Sequence, residues 1–410
     1  MLFMGGAASF FDFFDKLFNN ELFKSERAYS VNVNVYEVKG GANSGMSFEK
    51  ELGDTPGLED ALKHYFVEYN NVLGSLSGDT NELSSLYERH SRSKGADFLI
   101  LERQIHTRKQ AAIDLRFAVC DVGLQLTSVS FGAEDFVEIR VLECFAAVFD
   151  GIGDKLSSYA GVEHFFVFDK RSGQWLINRH ESNSALSLYI TDELDKLIQA
   201  DGHSIGTIDA LTINDYAAQL KTVLERDVYF IEPESEIVGE DENDALNQNR
   251  HYRFPYERDM AVQYAGRFTH RERVRRNHEF KEFPRNGTNF TSQCINSGGI
   301  PAEQQWTPEA DTWVNAAKFY EYITSADSHI AARLCSYTEG EAGDIVQFID
   351  GGGGAIHSAL IVDTVYGNTT LNIEYLITAN SEELSKFPLS ALGFDIMRII
   401  KIDGFYWNQG

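Results

Sequence analysis

A stretch near the C-terminus, RNGTNFTSQCINSGGIPAEQQW at residues 285–306, carries the clearest structural signal in the chain. It predicts a helix over Thr288–Asn296, because the pair Gly298-Gly299 follows its last turn and can end a helix. Asn286 is expected to cap this helix, since its side-chain oxygen can accept a hydrogen bond from the exposed backbone N–H groups. Such a helix start favours negative charge through its free N–H groups and its dipole.

Further segments flank this stretch. YRFPYERDMAVQYAGRF precedes it at 252–268, and it is followed by GDIVQF at 343–348, IHSALIV at 356–362 and IMRIIKI at 396–402. Together they resemble the putative amidase domain of bacterial cell-surface proteins, which is a member of the papain-like group that includes the CHAP-type peptidoglycan peptidases. The resemblance covers roughly 252–406 and implies a papain-like α+β domain over residues 251–410.

This resemblance implies a cysteine nucleophile at the helix start and a histidine base on a nearby strand. His357 matches the base, at the beginning of a predicted strand over Ser358–Val362. The family opens its helix with Asp-Cys-Thr-Asn-Phe, whereas residues 286–290 read Asn-Gly-Thr-Asn-Phe. Gly287 has no thiol or hydroxyl for a covalent intermediate, so it is a degenerate nucleophile position and His357 a vestigial base. The candidate cleft residues are Asn286, Thr288, Asn289, Trp306 and Asn380.

Two further features bear on catalysis. Cys294 lies about 10 Å along the helix axis from Gly287, at ~1.5 Å per residue, and we interpret it as a buried packing thiol. Downstream of His357 the family usually has a His-Thr pair, where this chain has Ala379 and Asn380. The remaining candidates to orient the imidazole are Asn380, Asn372 and Glu374. A lone histidine at the start of a strand is more often structural than catalytic.

Trp306 and Trp313 resemble the family's helix beside the cleft, where a place in the core or the cleft wall is favoured over ligand stacking. The four cysteines have no CxxC spacing. They therefore indicate neither a zinc site nor a disulfide framework, and we expect no metal and no cofactor.

The N-terminal part predicts helices followed by an antiparallel sheet. YSVNVNVYEV at 29–38 alternates valine with polar residues, as in a half-buried strand. Helices are predicted over 57–86 and strands over 96–119, 123–130, 136–149, 164–169 and 174–178. This order, ending in the hairpin HFFVFDKRSGQWLINRHE at 164–181, resembles the cone-shaped nuclear transport factor 2-like domain. We therefore predict an α+β chain with a cone-shaped antiparallel-sheet domain over 29–200.

Two other segments complete the predicted organisation. Residues 1–28 have the pattern of an amphipathic helix, whose phenylalanines pack on the chain's own core or dock on a partner subunit. The interface candidates are Phe10, Phe11, Phe14 and Phe18. Residues 201–250 read as a helical and acidic linker. The N-terminal residues fit neither a classical signal peptide nor a transmembrane segment.

The net charge of −26 repels phosphate backbones, so nucleic acid is not an expected partner. The resemblance implies a cell-surface or extracellular protein, and three functions stay open. The first is a catalytically inactive amidase-like unit that works in structure, assembly or binding, as a homo-oligomer or surface assembly. The second is a cysteine-type amidase or peptidoglycan hydrolase in which Gly287 is an active-site variant or an engineered change. The third is recognition of a peptide or peptidoglycan in the cleft.

Overall fold

A computed structural model describes residues 31–36, 55–111, 115–132, 136–225, 228–233, 253–269, 277–303, 305–367 and 373–407. The chain divides into two compact units. The first comprises residues 1–226, 271–273 and 391–393, and the second comprises residues 227–270, 274–390 and 394–410. The predicted N-terminal helix, with Phe10, Phe11, Phe14 and Phe18, lies outside the described residues, as do residues 234–250 of the predicted linker.

The described part of the first unit contains one twisted sheet. Its strands are β1 (Val31–Tyr36), β2 (Phe117–Phe131), β3 (Phe136–Phe149), β4 (Leu156–Arg171) and β5 (Gln174–Ser182). Strand β1 pairs in parallel with β2, and the others pair antiparallel in sequence order. The strand predicted at 29–38 is confirmed over its described residues, Val31–Tyr36, where the valines are half-buried and the asparagines exposed. The β4–β5 hairpin is also confirmed.

The helices of the first unit are α1 (Leu58–Ser75), α2 (Asn81–Ser85), α3 (Lys94–Gln110), α4 (Ala185–Ala200) and α5 (Ala210–Leu224). The prediction of a strand over 96–119 was wrong, because α3 occupies most of it and β2 begins at Phe117. Helix α3 is buried on more than one face, including Leu99, Ile100 and Leu101, so its apolar run has no helical period. A short apolar run of this kind does not distinguish helix from strand.

The second unit contains a larger, mostly antiparallel sheet in the order β12-β11-β10-β9-β13-β6, with β7 and β8 also paired to β13. The strands are β6 (Tyr229–Phe230), β7 (Arg253–Phe254), β8 (Ile330–Cys335), β9 (Ile345–Ile349), β10 (Ala355–Tyr366), β11 (Ile373–Ala379), β12 (Leu384–Pro388) and β13 (Ile396–Tyr406). The helices are α6 (Arg258–Phe268), α7 (Gly287–Ser297), α8 (Asp311–Val314) and α9 (Ala316–Ile323). The predicted α+β class is thus confirmed, while the papain-like fold remains a prediction.

Helix α7 lies at the centre of the second unit's core. Its residues Phe290 and Cys294 pack with Trp306, Trp313 and Leu360 in one buried hydrophobic cluster. The helix predicted over 288–296 is confirmed, and Gly299 follows its end with a φ of 94° that favours glycine. Burial of the helix from Gly287 to Ile295 fixes the position of its first residue against the sheet.

Candidate functional site

The start of helix α7 meets strand β10 at Gly287 and His357. A Cβ atom built on Gly287 would lie 2.4 Å from His357 Cε1 and 2.7 Å from His357 Nδ1. It would also lie 2.7 Å from the carbonyl oxygen of Ser358, which belongs to the main chain. The two positions that the sequence pairs as nucleophile and base are therefore adjacent. The imidazole, however, occupies the space in which a side chain at position 287 would begin.

His357 is a buried, neutral imidazole. Its ring stacks on Phe348 with centroids 5.7 Å apart, and its Nε2 has no hydrogen-bond partner in the described part of the chain. Burial lowers the pKa of His357 to about 4, and the positive charge of Arg285 acts in the same direction. No described thiol or hydroxyl donates to the ring.

Three asparagines surround the helix start. Asn286 Oδ1 accepts hydrogen bonds from Asn289 Nδ2 at 2.8 Å and from the Phe283 amide at 3.2 Å, and Asn286 Nδ2 donates to Asn380 Oδ1 at 3.2 Å. Asn286 occupies the N-cap position of α7 as predicted, but its side chain does not make the expected capping hydrogen bond. Its oxygen is instead used by Asn289 and Phe283. Asn380 therefore positions the loop before the helix.

The candidates for orienting His357 have other partners. Asn380 bonds to Asn286 and donates to the Phe268 carbonyl at 3.2 Å. Glu374 accepts from the Ser390 amide at 3.2 Å and from the Ser390 hydroxyl at 2.6 Å, and burial raises its pKa to about 7. Asn372 lies outside the described residues. Neither of the two described candidates completes a catalytic triad with His357.

A buried polar row runs across the sheet from the helix start, and sequence reasoning identified only its first residue, Thr288. Thr288 Oγ1 lies 3.0 Å from Ser358 Oγ, which accepts a bond from Gln347 Nε2 at 3.2 Å. Gln347 Oε1 accepts from Arg398 Nε at 2.9 Å and Nη2 at 2.7 Å, and the guanidinium lies over the Tyr320 ring. Burial lowers the pKa of Arg398 to about 10, so it stays charged at neutral pH. The available signals were Gln347 in the otherwise apolar strand β9 and Arg398 between apolar residues in β13.

Cys294 and Trp306 belong to the core. Both side chains are fully buried, and burial raises the pKa of the Cys294 thiol well above its usual range. The Trp306 ring packs 4.3 Å from that of Trp313, so this candidate cleft residue has no exposed surface to offer a ligand.

We predict that Gly287→Ala destabilises the second unit by about 1–3 kcal/mol, the usual cost of overpacking a filled site. The reason is that the new methyl group would overlap both the His357 ring and the Ser358 carbonyl. Urea unfolding of the variant and the wild type measures this cost.

The matched control is Gly266→Ala in helix α6, where an added Cβ meets nothing within 4 Å. This change is expected to stabilise the helix by up to about 1 kcal/mol. In a His357→Ala background the cost of Gly287→Ala should fall but not vanish, since the Ser358 carbonyl remains. An equal cost in both backgrounds would contradict the contact between the ring and position 287.

Within the described ranges, no group of three or more His, Cys, Asp or Glu side chains could hold a metal ion. Over the same residues, none of the helices combines the length and apolar character that crossing a membrane requires.

Solved structures similar to parts of this chain include a putative calcium/calmodulin dependent protein kinase II association domain from Xanthomonas campestris. It is 17% identical, the match covers 35% of this chain and 91% of that chain, and the TM-score is 0.22. A putative scytalone dehydratase from Novosphingobium aromaticivorans is 18% identical, and the match covers 32% of this chain and 86% of that chain with a TM-score of 0.23. TM-scores this low do not establish a shared fold, and the cone-shaped domain remains a prediction.

Similar curated proteins come from Bacillus subtilis (strain 168). The uncharacterized protein YhbB is 31% identical over 130 residues, which are 29% of this chain and 40% of that protein. The uncharacterized protein YjcM is 31% identical over 91 residues, which are 22% of this chain and 21% of that protein. The chain thus spans less than half of either relative. Residues 255–401, which include α7, Gly287 and His357, match the putative amidase domain family, as the resemblance predicted for this region.

Proposed function

We propose that the second unit is an amidase-like domain that does not cleave amide bonds and serves as a binding or assembly unit. The observation that carries this proposal is the position of the His357 ring, which fills the space next to Gly287. Nucleophilic hydrolysis needs a thiol or hydroxyl within hydrogen-bond reach of its base. Position 287 has neither.

The state of His357 supports the same proposal. A general base works best when its pKa lies near the working pH, whereas the pKa of His357 is lowered to about 4. Cys294 does not replace the missing nucleophile, because it is fully buried and its thiol stays protonated. For the cysteine-hydrolase alternative, neither position 287 nor Cys294 therefore supplies a nucleophile.

The proposed ligand is a peptide or peptidoglycan fragment, as the amidase-like scaffold suggests, and the proposed setting is the cell surface. The buried Thr288–Arg398 row supports the scaffold part of this proposal, since its hydroxyl, amide and guanidinium groups bond to one another and tie the helix start to the sheet. Assembly with further copies of the chain is part of the same proposal.

The test is hydrolysis of purified peptidoglycan and its soluble fragments by the wild type, Gly287→Cys and His357→Ala, with an active cysteine peptidoglycan peptidase as positive control. We expect no product from any of the three, because even a cysteine at 287 would first have to displace the His357 ring. Sedimentation with intact peptidoglycan and analytical ultracentrifugation then measure binding and assembly. Wild-type turnover that His357→Ala abolishes would refute the proposal, as would a monomer that binds no peptidoglycan.

A further inference from the structure

The first unit contains a chain of four hydrogen-bonded acid–base groups that the proposed function does not use. Glu143 Oε2 lies 2.9 Å from His164 Nε2, and His164 Nδ1 lies 2.9 Å from His180 Nε2. His180 Nδ1 lies 2.9 Å from Asp97 Oδ2. The four side chains come from β3, β4, β5 and α3, and each is at least nine-tenths buried. Residues far apart in sequence thus form one continuous chain.

Hydrogen-bond chemistry fixes how many protons this chain holds. The chain has three gaps, each between two neighbouring groups at hydrogen-bond distance, and each gap needs one proton. A carboxylate has only lone pairs, and a neutral imidazole carries a single N–H. Two neutral imidazoles can fill two gaps and would leave two lone pairs facing each other across the third. The four groups therefore hold three protons between them. The count is the same whether the third proton lies on a ring or on a terminal carboxyl group.

Burial favours the third proton as well. Without it the four groups carry two negative charges in a site shielded from water, and with it they carry one. The carboxyl groups at the two ends also receive tyrosine donors: Tyr159 donates to Glu143 Oε1 at 2.9 Å, and Tyr87 donates to Asp97 Oδ2. The Tyr65 hydroxyl lies 3.2 Å from His180 Nδ1.

The surrounding titratable groups do not supply a competing charge change near neutral pH. They are Tyr65 and Tyr69 on α1, Tyr87 before α3, Arg108 on α3, Cys120 on β2 and Tyr159 on β4. Burial raises the pKa of each tyrosine and of Cys120, and lowers the pKa of Arg108 to about 10. Burial also lowers the pKa of His164, while its bond to Glu143 acts in the opposite direction.

We propose that Glu143, His164, His180 and Asp97 form a proton relay that holds one extra proton at neutral pH and gives the first unit its own acid–base centre. In the relay step Glu143 passes its proton to His164 Nε2, His164 Nδ1 passes one to His180 Nε2, and His180 Nδ1 passes one to Asp97. Each ring gains one proton and loses one. A proton is thereby transferred from one terminal carboxyl group to the other, and no charge remains on either imidazole.

The direct test is NMR of the full chain with ¹⁵N-labelled histidine between pH 7 and 8, with the two rings assigned from His164→Gln and His180→Gln. We expect three low-field proton resonances on the wild type, one for each gap. Two resonances, with His164 Nδ1 and His180 Nε2 both unprotonated, would overturn the proposal. The number of resonances is read from the wild type, and the two variants serve only to assign them.

A second test follows unfolding of the first unit through the same histidine signals in a denaturant series. Well above pH 6.5, the ordinary pKa of histidine, the folded chain binds the extra proton and the unfolded chain does not. The folding equilibrium constant should therefore fall by up to tenfold per pH unit over the range in which the relay holds this proton. Glu143→Gln should remove this dependence. The control Glu163→Gln, at a half-exposed carboxylate next to His164 in sequence, should retain it. A wild type with a flat profile from pH 7 to 10 would also refute the relay.

Discussion

Replacing Asp344 with alanine is expected to destabilise the second unit by about 3–5 kcal/mol, because two backbone amides and the partly buried Arg258 guanidinium lose one charged acceptor together. The Asp344 carboxylate is fully buried and accepts from Arg258 Nη1 at 2.7 Å and from the amides of Ile402 and Glu341 at 3.0 Å each. Burial raises the pKa of Asp344, and the Arg258 charge opposes that rise. Alanine would remove the acceptor and leave all three donors in place.

Chemical denaturation of the variant and of two controls measures this effect. Glu341→Ala removes the exposed carboxylate that lies 3.4 Å from Arg258, and it should cost less than about 1 kcal/mol. Asp344→Asn keeps one acceptor oxygen, so its loss of stability should lie between those of Asp344→Ala and Glu341→Ala. If Asp344→Ala cost no more than Glu341→Ala, Arg258 would not depend on the buried carboxylate.

Acidification is expected to destabilise the second unit through His357 by as much as about 3 kcal/mol, at about 1.4 kcal/mol per unit of pKa difference. The pKa of His357 falls from 6.5 to about 4 on folding, so between these values the unfolded chain binds the proton and the folded chain does not. The stability that the second unit has with a neutral His357 is therefore complete above pH 6.5 and is lost as the pH falls towards 4.

The measurement is urea unfolding at pH 7.5 and pH 4.5 for the wild type, His357→Gln and His64→Gln. The difference between the two pH values should shrink in His357→Gln, since glutamine does not titrate. It should not change in His64→Gln, because His64 belongs to the first unit. The comparison between variants carries the result, because the chain contains 11 histidines. An unchanged difference in His357→Gln would show that the imidazole is not buried in its neutral form.

Sequence reasoning predicted that the start of α7 and the start of β10 lie together because the signals for both elements are local. The glycine pair at 298–299 marks the end of α7, and the apolar run after His357 marks β10. The order of the family segments then placed Gly287 beside His357. It did not reveal that the ring fills the space at Gly287, since a sequence pattern has no information about distances.

The errors arise where distant residues compete with local preferences. Asn286 was expected to cap α7, but its oxygen bonds to Asn289 and Phe283 and its amide to Asn380, which lies 94 residues away. The relay shows the same limit. His164 and His180 lie on the two strands of the predicted β4–β5 hairpin. Asp97 lies in α3, for which the sequence predicted a strand. Because that helix was not predicted, sequence reasoning could not place Asp97 next to the two imidazoles.

The Ser358 carbonyl beside Gly287 has a consequence for protein engineering. A library that randomises positions 287 and 357 together can remove the imidazole, but every member retains the same peptide oxygen 2.7 Å from any new Cβ atom. Installing a working thiol on this scaffold therefore requires redesign of the main chain around residue 358, by a change of strand register or loop length, and not a search over side chains alone.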